Sequence, residues 1–184
     1  MPDHPTQYLE AVPKRWIVMG VSGCGKSEIG RLLGERLGVA HIEGDEHHPP
    51  VNIAKMAAGT PLDDADRQDW LLILQQKIRA AADRGLGMVL SCSALKRRYR
   101  DLLRGGDPDL FFLHLDGDRE LIAQRMQARP GHFMPVALLD SQFRDLEPLQ
   151  PDEAGVRADI RLAPETLVDE VLARFNPDIR KEEK

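Results

Sequence analysis

Short apolar runs alternate along the chain with longer stretches in which apolar positions recur every three to four residues. The runs are typical of strands buried in a parallel sheet, and the stretches are typical of helices that cover such a sheet. Five strands are predicted, at Trp16–Met19, Ala40–Ile42, Met88–Cys92, Phe111–Leu115 and Asp159–Leu162. Helices are predicted between them, at Ser27–Leu37, Val51–Ala58, Asp66–Asp83, Leu95–Leu103, Arg119–Ala128, Val136–Leu146 and Leu167–Phe175. The pattern therefore predicts an α/β fold of three layers, with a five-stranded parallel sheet and helices on both faces.

The length and the two ends of the chain predict one domain. A chain of 184 residues with 42% hydrophobic residues can bury one substantial core, which we expect over residues 15–176. Residues 1–14 are polar and rich in proline, and residues 177–184 mix both signs of charge, so both ends are expected to be flexible. No apolar stretch is long enough to span a bilayer, and no membrane partner is expected.

The charge and the cysteines narrow the possible partners and the location. A formal net charge of −5 provides no general attraction for nucleic acid, which we exclude as a partner. Two cysteines, Cys24 and Cys92, are too few for a disulfide framework. A reducing cytoplasm is therefore the expected location.

The most informative motif follows the first predicted strand. The eight residues Gly20-Val21-Ser22-Gly23-Cys24-Gly25-Lys26-Ser27, here called the phosphate loop, match the pattern G-x-x-x-x-G-K-S/T. Glycines let the backbone point its N–H groups inward, and the helix that begins at Gly25 or Lys26 adds the positive end of its dipole. We expect this loop and Glu28 to bind ATP, with Lys26 at the β- and γ-phosphates and Ser27 on Mg²⁺. A glycine-rich turn without a ligand is the alternative, but it would need neither Lys26 nor Ser27.

The residues that follow the strands are the candidates for binding a hydroxyl that would accept a phosphoryl group from ATP, because ligands gather at the carboxyl ends of parallel strands. Asp45 follows the second strand, and we expect its carboxylate to orient the attacking hydroxyl and take up its proton. Asp45 is also expected to contact the ligands of Mg²⁺ rather than the ion, since the third strand lacks the acid that many phosphate-loop proteins place there. The alternative for Asp45 is a cap of a short helix or turn.

The segment around Asp45 also permits a metal-site hypothesis. Imidazole and carboxylate groups together suit zinc. No distant pair of ligands completes such a set, so a polar substrate pocket is favoured, with His48 held extended by Pro49. The residues concerned are His41, Asp45, Glu46, His47 and His48.

Two groups of basic residues follow the third and fourth strands. Lys96 lies closest to the strand end, where it could meet an anionic acceptor, whereas a solvated face is an equal alternative for Arg97, Arg98 and Arg100. Arg125 and Arg129 lie four apart on one helical face that leads into a predicted small lid at about residues 125–138. Arginines on a closing lid can neutralise the transferring phosphoryl group, although two solvent-exposed arginines are the alternative.

These motifs resemble the gluconate kinases of the P-loop type, relatives of shikimate and adenylate kinases. The resemblance covers most of the chain from Trp16 to about Phe143. It is carried by the phosphate loop, Gly44-Asp45 with His48-Pro49, Asn52-Ile53-Ala54-Lys55-Met56, Gly59-Thr60-Pro61-Leu62-Asp63-Asp64-Ala65-Asp66-Arg67 with Trp70-Leu71, Cys92-Ser93-Ala94-Leu95-Lys96 with Tyr99-Arg100, and Gly131-His132-Phe133.

The resemblance implies a P-loop kinase fold with a small lid and ATP-dependent phosphorylation of D-gluconate at its 6-hydroxyl, with Mg²⁺ and commonly a homodimer. It also implies that Arg67 and Lys96 bind the substrate, that Arg125 and Arg129 belong to the lid, and that His132 lies at the substrate. A sugar acid needs cationic and hydroxyl-binding groups around one small pocket, which Arg67, Lys96, His48 and Asn52 could supply.

Three points qualify the resemblance. Another small-molecule kinase of the shikimate or nucleoside monophosphate type remains an alternative, although the glycine-rich turn of shikimate kinases is absent at Cys92–Lys96. A nucleotide-binding protein without turnover is a second alternative. Cys24 stands where serine is usual; its backbone N–H should serve equally well, and its thiol could make the loop sensitive to oxidation.

Overall fold

The structure is a computed structural model in which residues 12–128 and 138–175 are described. Its centre is a five-stranded sheet in which all neighbouring strands are parallel, in the order β2-β3-β1-β4-β5. The predicted five-stranded parallel sheet is confirmed. The strands are β1 (Arg15–Met19), β2 (Ala40–Glu43), β3 (Met88–Ser91), β4 (Phe111–Asp116) and β5 (Gly155–Asp159).

Helices connect the strands and cover both faces of the sheet. They are α1 (Lys26–Leu37), α2 (Pro50–Ala57), α3 (Asp64–Asp83), α4 (Arg97–Arg104), α5 (Arg119–Ala128), α6 (Leu139–Asp145) and α7 (Pro164–Leu172), with a short 3₁₀ helix at Gly44–His47. Among the described residues, none of the helices combines the length and the apolar character that crossing a membrane requires.

The alternation of side chains along β1 explains the three layers. Trp16 and Val18 belong to the core on one face, which also contains residues of α1, α5 and α7. Ile17 and Met19 belong to the core on the other face, with residues of α3 and α4. Every residue of β1 is buried, as expected for a central parallel strand covered on both faces. The phosphate loop therefore leaves a rigid strand at the middle of the sheet.

Most boundaries differ from the prediction by a few residues, and two of the differences have an identifiable reason. α3 begins at Asp64, two residues early, because Asp63 caps the helix reciprocally with Asp66. The fifth strand was predicted wrongly: it occupies Gly155–Asp159, and the chain turns after Asp159. This edge strand alternates buried and exposed side chains, with Arg157 exposed, so it lacks the continuous apolar run that marked the other strands.

Arg100 is a buried structural residue, so a solvated face is the wrong interpretation for it. Its side chain is fully buried and pairs with the equally buried Glu153. It also donates to the carbonyl oxygens of Ala94 and Leu95, at 3.2 and 3.1 Å. Ala94 has a φ of +43°, in the left-handed region that non-glycine residues rarely adopt. Arg100 thus stabilises the turn after β3. Arg98, in contrast, is exposed, as the alternative of a solvated face expected.

Candidate active site

The phosphate loop joins β1 to α1 and adopts the predicted wrapped conformation. Gly20, Gly23 and Gly25 have φ values of 144°, 80° and 99°, which suit glycine. A Cβ on Gly20 would lie 2.8 Å from Cys24 Sγ and 2.9 Å from the Leu115 carbonyl oxygen. No larger residue fits there without movement. Because α1 begins at Lys26, the positive end of its dipole faces the glycines of the loop.

Two polar groups of the loop are bonded to protein oxygen atoms. Lys26 Nζ donates to the Val21 carbonyl oxygen at 3.0 Å. The Ser22 amide N–H donates to Gln142 Oε1 at 2.6 Å. Both donors thus have partners of the type that phosphate oxygens would supply.

One side of the loop borders a cavity of about 270 Å³, here called the Arg125 cavity. Arg125 donates to the Ile160 carbonyl oxygen at 2.8 Å, which connects α5 to the segment after β5. Apolar walls with few polar groups suit a flat organic ring. The sequence analysis missed the wall at residues 160–164, which follows the misplaced fifth strand. The lining residues are Gly23, Cys24, Gly25, Glu28, Ile29, Arg125, Ala128, Ile160, Leu162, Pro164 and Leu167.

The other side of the loop borders a narrower cavity of about 40 Å³, here called the Asp45 cavity. It brings together Lys26, Asp45, His48 and Arg67, which are four of the five predicted site residues that line it; the fifth is Ser22. The strand ends and α3 thus converge in front of the loop, as the parallel topology predicts. The remaining lining residues are Ser22, Met56, Pro61, Leu62, Trp70, Ser93, Leu138, Ser141 and Gln142.

His48 is a fixed wall of the Asp45 cavity. Its ring stacks on Trp70 at 4.0 Å between ring centres. Its Nδ1 lies 3.4 Å from Asn52 Nδ2, and its Nε2 lies 3.9 Å from Asp45 Oδ1. Burial lowers the pKa of His48 and so favours a neutral imidazole; Asp45 opposes this shift, and Arg67 adds to it. Asn52 is almost completely buried and supports this ring from behind.

The two basic side chains predicted to bind the acceptor, Arg67 and Lys96, pair with carboxylates. Arg67 donates to Asp145 Oδ2 at 3.1 Å. Lys96 Nζ lies 3.1 Å from Asp64 Oδ1 and 3.5 Å from Asp145 Oδ1. The sequence analysis assigned no role to Asp64 or Asp145. Asp64 lay in a motif of the resemblance, whereas nothing local marked Asp145, which reaches the site only because α6 packs there.

A further carboxylate, Glu43, lies at the end of β2 beside the Ser27 hydroxyl. Burial raises the pKa of Glu43, and the Ser27 hydroxyl opposes this shift. Hydroxyl and carboxylate oxygens are the ligands that Mg²⁺ prefers, so these donors fit that ion. The sequence analysis did not select Glu43, although its place at a strand end was a usable signal.

The zinc hypothesis gains no support. Within residues 12–128 and 138–175, no group of three or more His, Cys, Asp or Glu side chains could hold a metal ion. The Cys24 thiol is buried, and burial raises its pKa. Oxidants attack the thiolate, so this environment argues against the sensitivity that the sequence suggested.

Part of the predicted lid lies outside the described residues. Arg129 and His132 belong to residues 129–137, which are not described. Arg125 lies in α5, and Leu138 directly precedes α6. The predictions for Arg129, His132 and the lid therefore stay predictions.

Comparison with known proteins identifies the family. Residues 22–155 match the family model for shikimate kinase. The chain is 43% identical over 178 residues to a gluconokinase of Gluconobacter oxydans, covering 97% of this chain and 99% of that protein. It is 50% identical over 146 residues to the thermosensitive gluconokinase of Escherichia coli, covering 79% and 78%.

A solved structure gives the same result. The crystal structure of a gluconokinase from Sinorhizobium meliloti superposes with a TM-score of 0.82 at 41% identity, covering 93% of this chain and 96% of that one. The P-loop kinase fold expected from the resemblance is therefore confirmed. The match covers almost the whole chain. This chain therefore belongs to the gluconokinase family of P-loop kinases and is a kinase enzyme that uses a nucleotide.

Proposed function

We propose that this enzyme transfers the γ-phosphoryl group of ATP to the 6-hydroxyl of D-gluconate, giving 6-phospho-D-gluconate and ADP. The observation that carries the proposal is the convergence of Lys26, Asp45 and Arg67 on one cavity beside the phosphate loop. The names of the relatives support the identity of the acceptor. A shikimate or nucleoside monophosphate kinase, or a binding protein without turnover, is not favoured.

Asp45 is the proposed general base. Its side chain is about half exposed and borders the same cavity as Lys26. Trp70 Nε1 donates to the Gly44 carbonyl oxygen at 2.8 Å, which fixes the short helix that carries Asp45. The carboxylate would bind the acceptor hydroxyl and accept its proton as the oxygen attacks phosphorus and the bond to ADP breaks. Lys26 would stabilise the charge on the phosphoryl oxygens.

Arg67 and Lys96 are the proposed binding groups for the acceptor carboxylate. A guanidinium has five N–H donors in a planar fork, so Arg67 can bind a carboxylate while it keeps its contact with Asp145. His48 and the segment that Asn52 supports would meet the hydroxyls. We also propose that Arg129 contributes to charge neutralisation and His132 to acceptor binding.

Ser27 and Glu43 would hold Mg²⁺, with Asp45 behind them. When bound, this ion neutralises charge on the β- and γ-phosphates. The amides of the phosphate loop and Glu28 would surround the nucleotide. Arg125 and the wall at residues 160–164 would enclose the adenine ring, which matches the apolar character of that cavity.

The assembly and the location are further proposals. The resemblance supports a homodimer, which sedimentation or light scattering would test against the mass of one chain. A reducing cytoplasm is consistent with Cys24 and Cys92, which are both free thiols in the structure. The single domain over residues 15–176, with its lid at about 125–138, is part of the same proposal.

A comparison of acceptors tests the function. Purified protein is supplied with Mg²⁺ and ATP and with gluconate, shikimate or AMP, and ADP release is measured. We expect turnover with gluconate, and mass spectrometry and phosphorus NMR should identify a 6-phosphate ester. Preference for another acceptor, or no turnover with any of the three, would overturn the proposal.

A further inference from the structure

Gln142, on α6, connects two parts of the site that are distant in sequence. Its side chain is 8% exposed, and its Oε1 accepts the hydrogen bond from the Ser22 amide at 2.6 Å. It also borders the Asp45 cavity. Gln142 thus contacts the phosphate loop from the side on which the acceptor would enter.

The division of the loop between the two cavities locates this contact more closely. Ser22 and Lys26 border the Asp45 cavity, whereas Gly23, Cys24 and Gly25 border the Arg125 cavity. In phosphoryl transfer the γ-phosphoryl group lies between the rest of the nucleotide and the acceptor. The Ser22 amide therefore belongs to the γ end of the nucleotide site. A side chain bonded to it lies beside the transferring group.

α6 is anchored so that Gln142 keeps its place. Asp145, three residues further along the helix, shares its face and binds Arg67. At the start of the helix Asp140 pairs with Arg119, and after its end Glu147 N–H donates to the Leu95 carbonyl oxygen at 2.9 Å. One helix face therefore joins the phosphate loop to the cations of the acceptor site.

We propose that Gln142 is a positioning residue for phosphoryl transfer. Its carboxamide oxygen accepts the Ser22 N–H and so fixes the loop backbone beside the γ-phosphoryl group, and its bulk keeps water away from that group. A neutral carboxamide suits this place because a carboxylate there would repel the phosphate at short range. The effect on the acceptor reaction rests on the proposed function, whereas the effect on nucleotide binding does not.

Gln142→Glu gives the sharpest test, because it retains an oxygen acceptor for Ser22 and replaces the NH₂ of the carboxamide by a charged oxygen. A purely structural role predicts little change. Our proposal predicts about 10-fold weaker binding of a non-hydrolysable ATP analogue and less than about 2-fold weaker binding of ADP, measured by calorimetry with Mg²⁺. It predicts about 100-fold lower kcat with gluconate and little change in the KM for gluconate.

Gln142→Met retains most of the volume and removes the hydrogen bond. We expect kcat to fall by about 10-fold, because the loop loses its bond to α6, and the ATP consumed for each 6-phosphogluconate formed to stay at one, because the retained volume still excludes water. Arg144→Ala is the matched control, since Arg144 lies exposed on the same helix. It should match the wild type in all of these measurements.

Three results would overturn the inference. The first is that Gln142→Glu binds both nucleotides and turns over like the wild type. The second is that it binds both nucleotides more weakly by the same factor, which would show only a deformed loop. If Gln142→Glu does not fold, an unchanged kcat in Gln142→Met would be decisive. A wild type inactive on gluconate would refute the proposed function, and the comparison of ATP analogue with ADP would still decide the role of Gln142.

Discussion

The two cavities beside the phosphate loop are built differently. The Arg125 cavity is bounded by residues of the loop and by apolar side chains, and its charged lining residues are Arg125 and Glu28. The Asp45 cavity is bounded by charged and aromatic side chains from several elements. Backbone amides bind phosphate whatever side chains they carry, so this mode of binding tolerates substitutions such as Cys24. Recognition of the acceptor depends instead on particular side chains.

The electrostatics of the two cavities follow the same division. On the acceptor side Arg67 and Lys96 share Asp145, and Lys96 also contacts Asp64. Removing one member of such a group leaves its partner without compensation in a partly buried place. We therefore expect substitutions around the Asp45 cavity to impair discrimination among acceptors. Substitutions in the phosphate loop should lower turnover with every acceptor.

The largest effect should come from the loop. Lys26→Ala removes the only side-chain charge among the eight loop residues, and we expect kcat to fall by about 1000-fold with the fold retained. Steady-state kinetics and circular dichroism provide the measurements, with Lys14→Ala, an exposed lysine, as the control. Retained turnover would remove the loop from the mechanism.

The second effect should separate chemistry from binding on the acceptor side. Asp45→Asn removes the proposed proton acceptor and should lower kcat by about 100-fold or more, while the KM for gluconate changes little. Glu46→Gln is the control because Glu46 is exposed on the same 3₁₀ helix. A variant with normal kcat would show that Asp45 is not the base.

The third effect should appear only in the affinity for the acceptor. Arg67→Lys retains the charge but loses the planar fork, and we expect the KM for gluconate to rise by about 10-fold, or about 1.4 kcal/mol. The KM for ATP should stay unchanged. Arg79→Lys, on the exposed side of α3, is the matched control. An increase in the KM for ATP instead would contradict the separation of the two cavities.

The smallest effect concerns Glu43, which lies beside the Ser27 hydroxyl at the end of β2. Glu43→Gln should raise the Mg²⁺ concentration needed for half-maximal activity by a few-fold, because one oxygen ligand loses its charge. It should also stabilise the ligand-free protein slightly at neutral pH, since burial raises the pKa of Glu43 and disfavours its ionised form in the folded state.

The pH dependence gives the sign of this stability effect. Below pH 4.5, the ordinary pKa of a glutamate, the carboxyl is protonated in both the folded and unfolded states, and the two proteins should melt alike. As pH rises through the raised pKa of Glu43, the wild type loses stability relative to Glu43→Gln. Melting temperatures across this range check the prediction, and a less stable variant at neutral pH would contradict it.

The sequence predicted those parts of the site that depend on local backbone geometry. The apolar run of β1, the glycine spacing of the loop and the position of Asp45 after β2 are all local features, and the structure places them as predicted. The fifth strand was misplaced because an edge strand with Arg157 exposed lacks the apolar run that identifies central strands. The wall at residues 160–164 was missed for the same reason.

Taken alone, the sequence determined the first four strands and the phosphate loop, because hydrophobic periodicity and glycine conformation act over a few residues. Only the tertiary structure decided that Asp145 holds Arg67, that Gln142 contacts Ser22, and that Arg100 is buried against Glu153. These contacts join residues separated by 53 to 120 positions, and no local pattern specifies which distant side chain will balance a buried charge or amide. The packing of the helices onto the sheet determines which of these distant side chains come into contact.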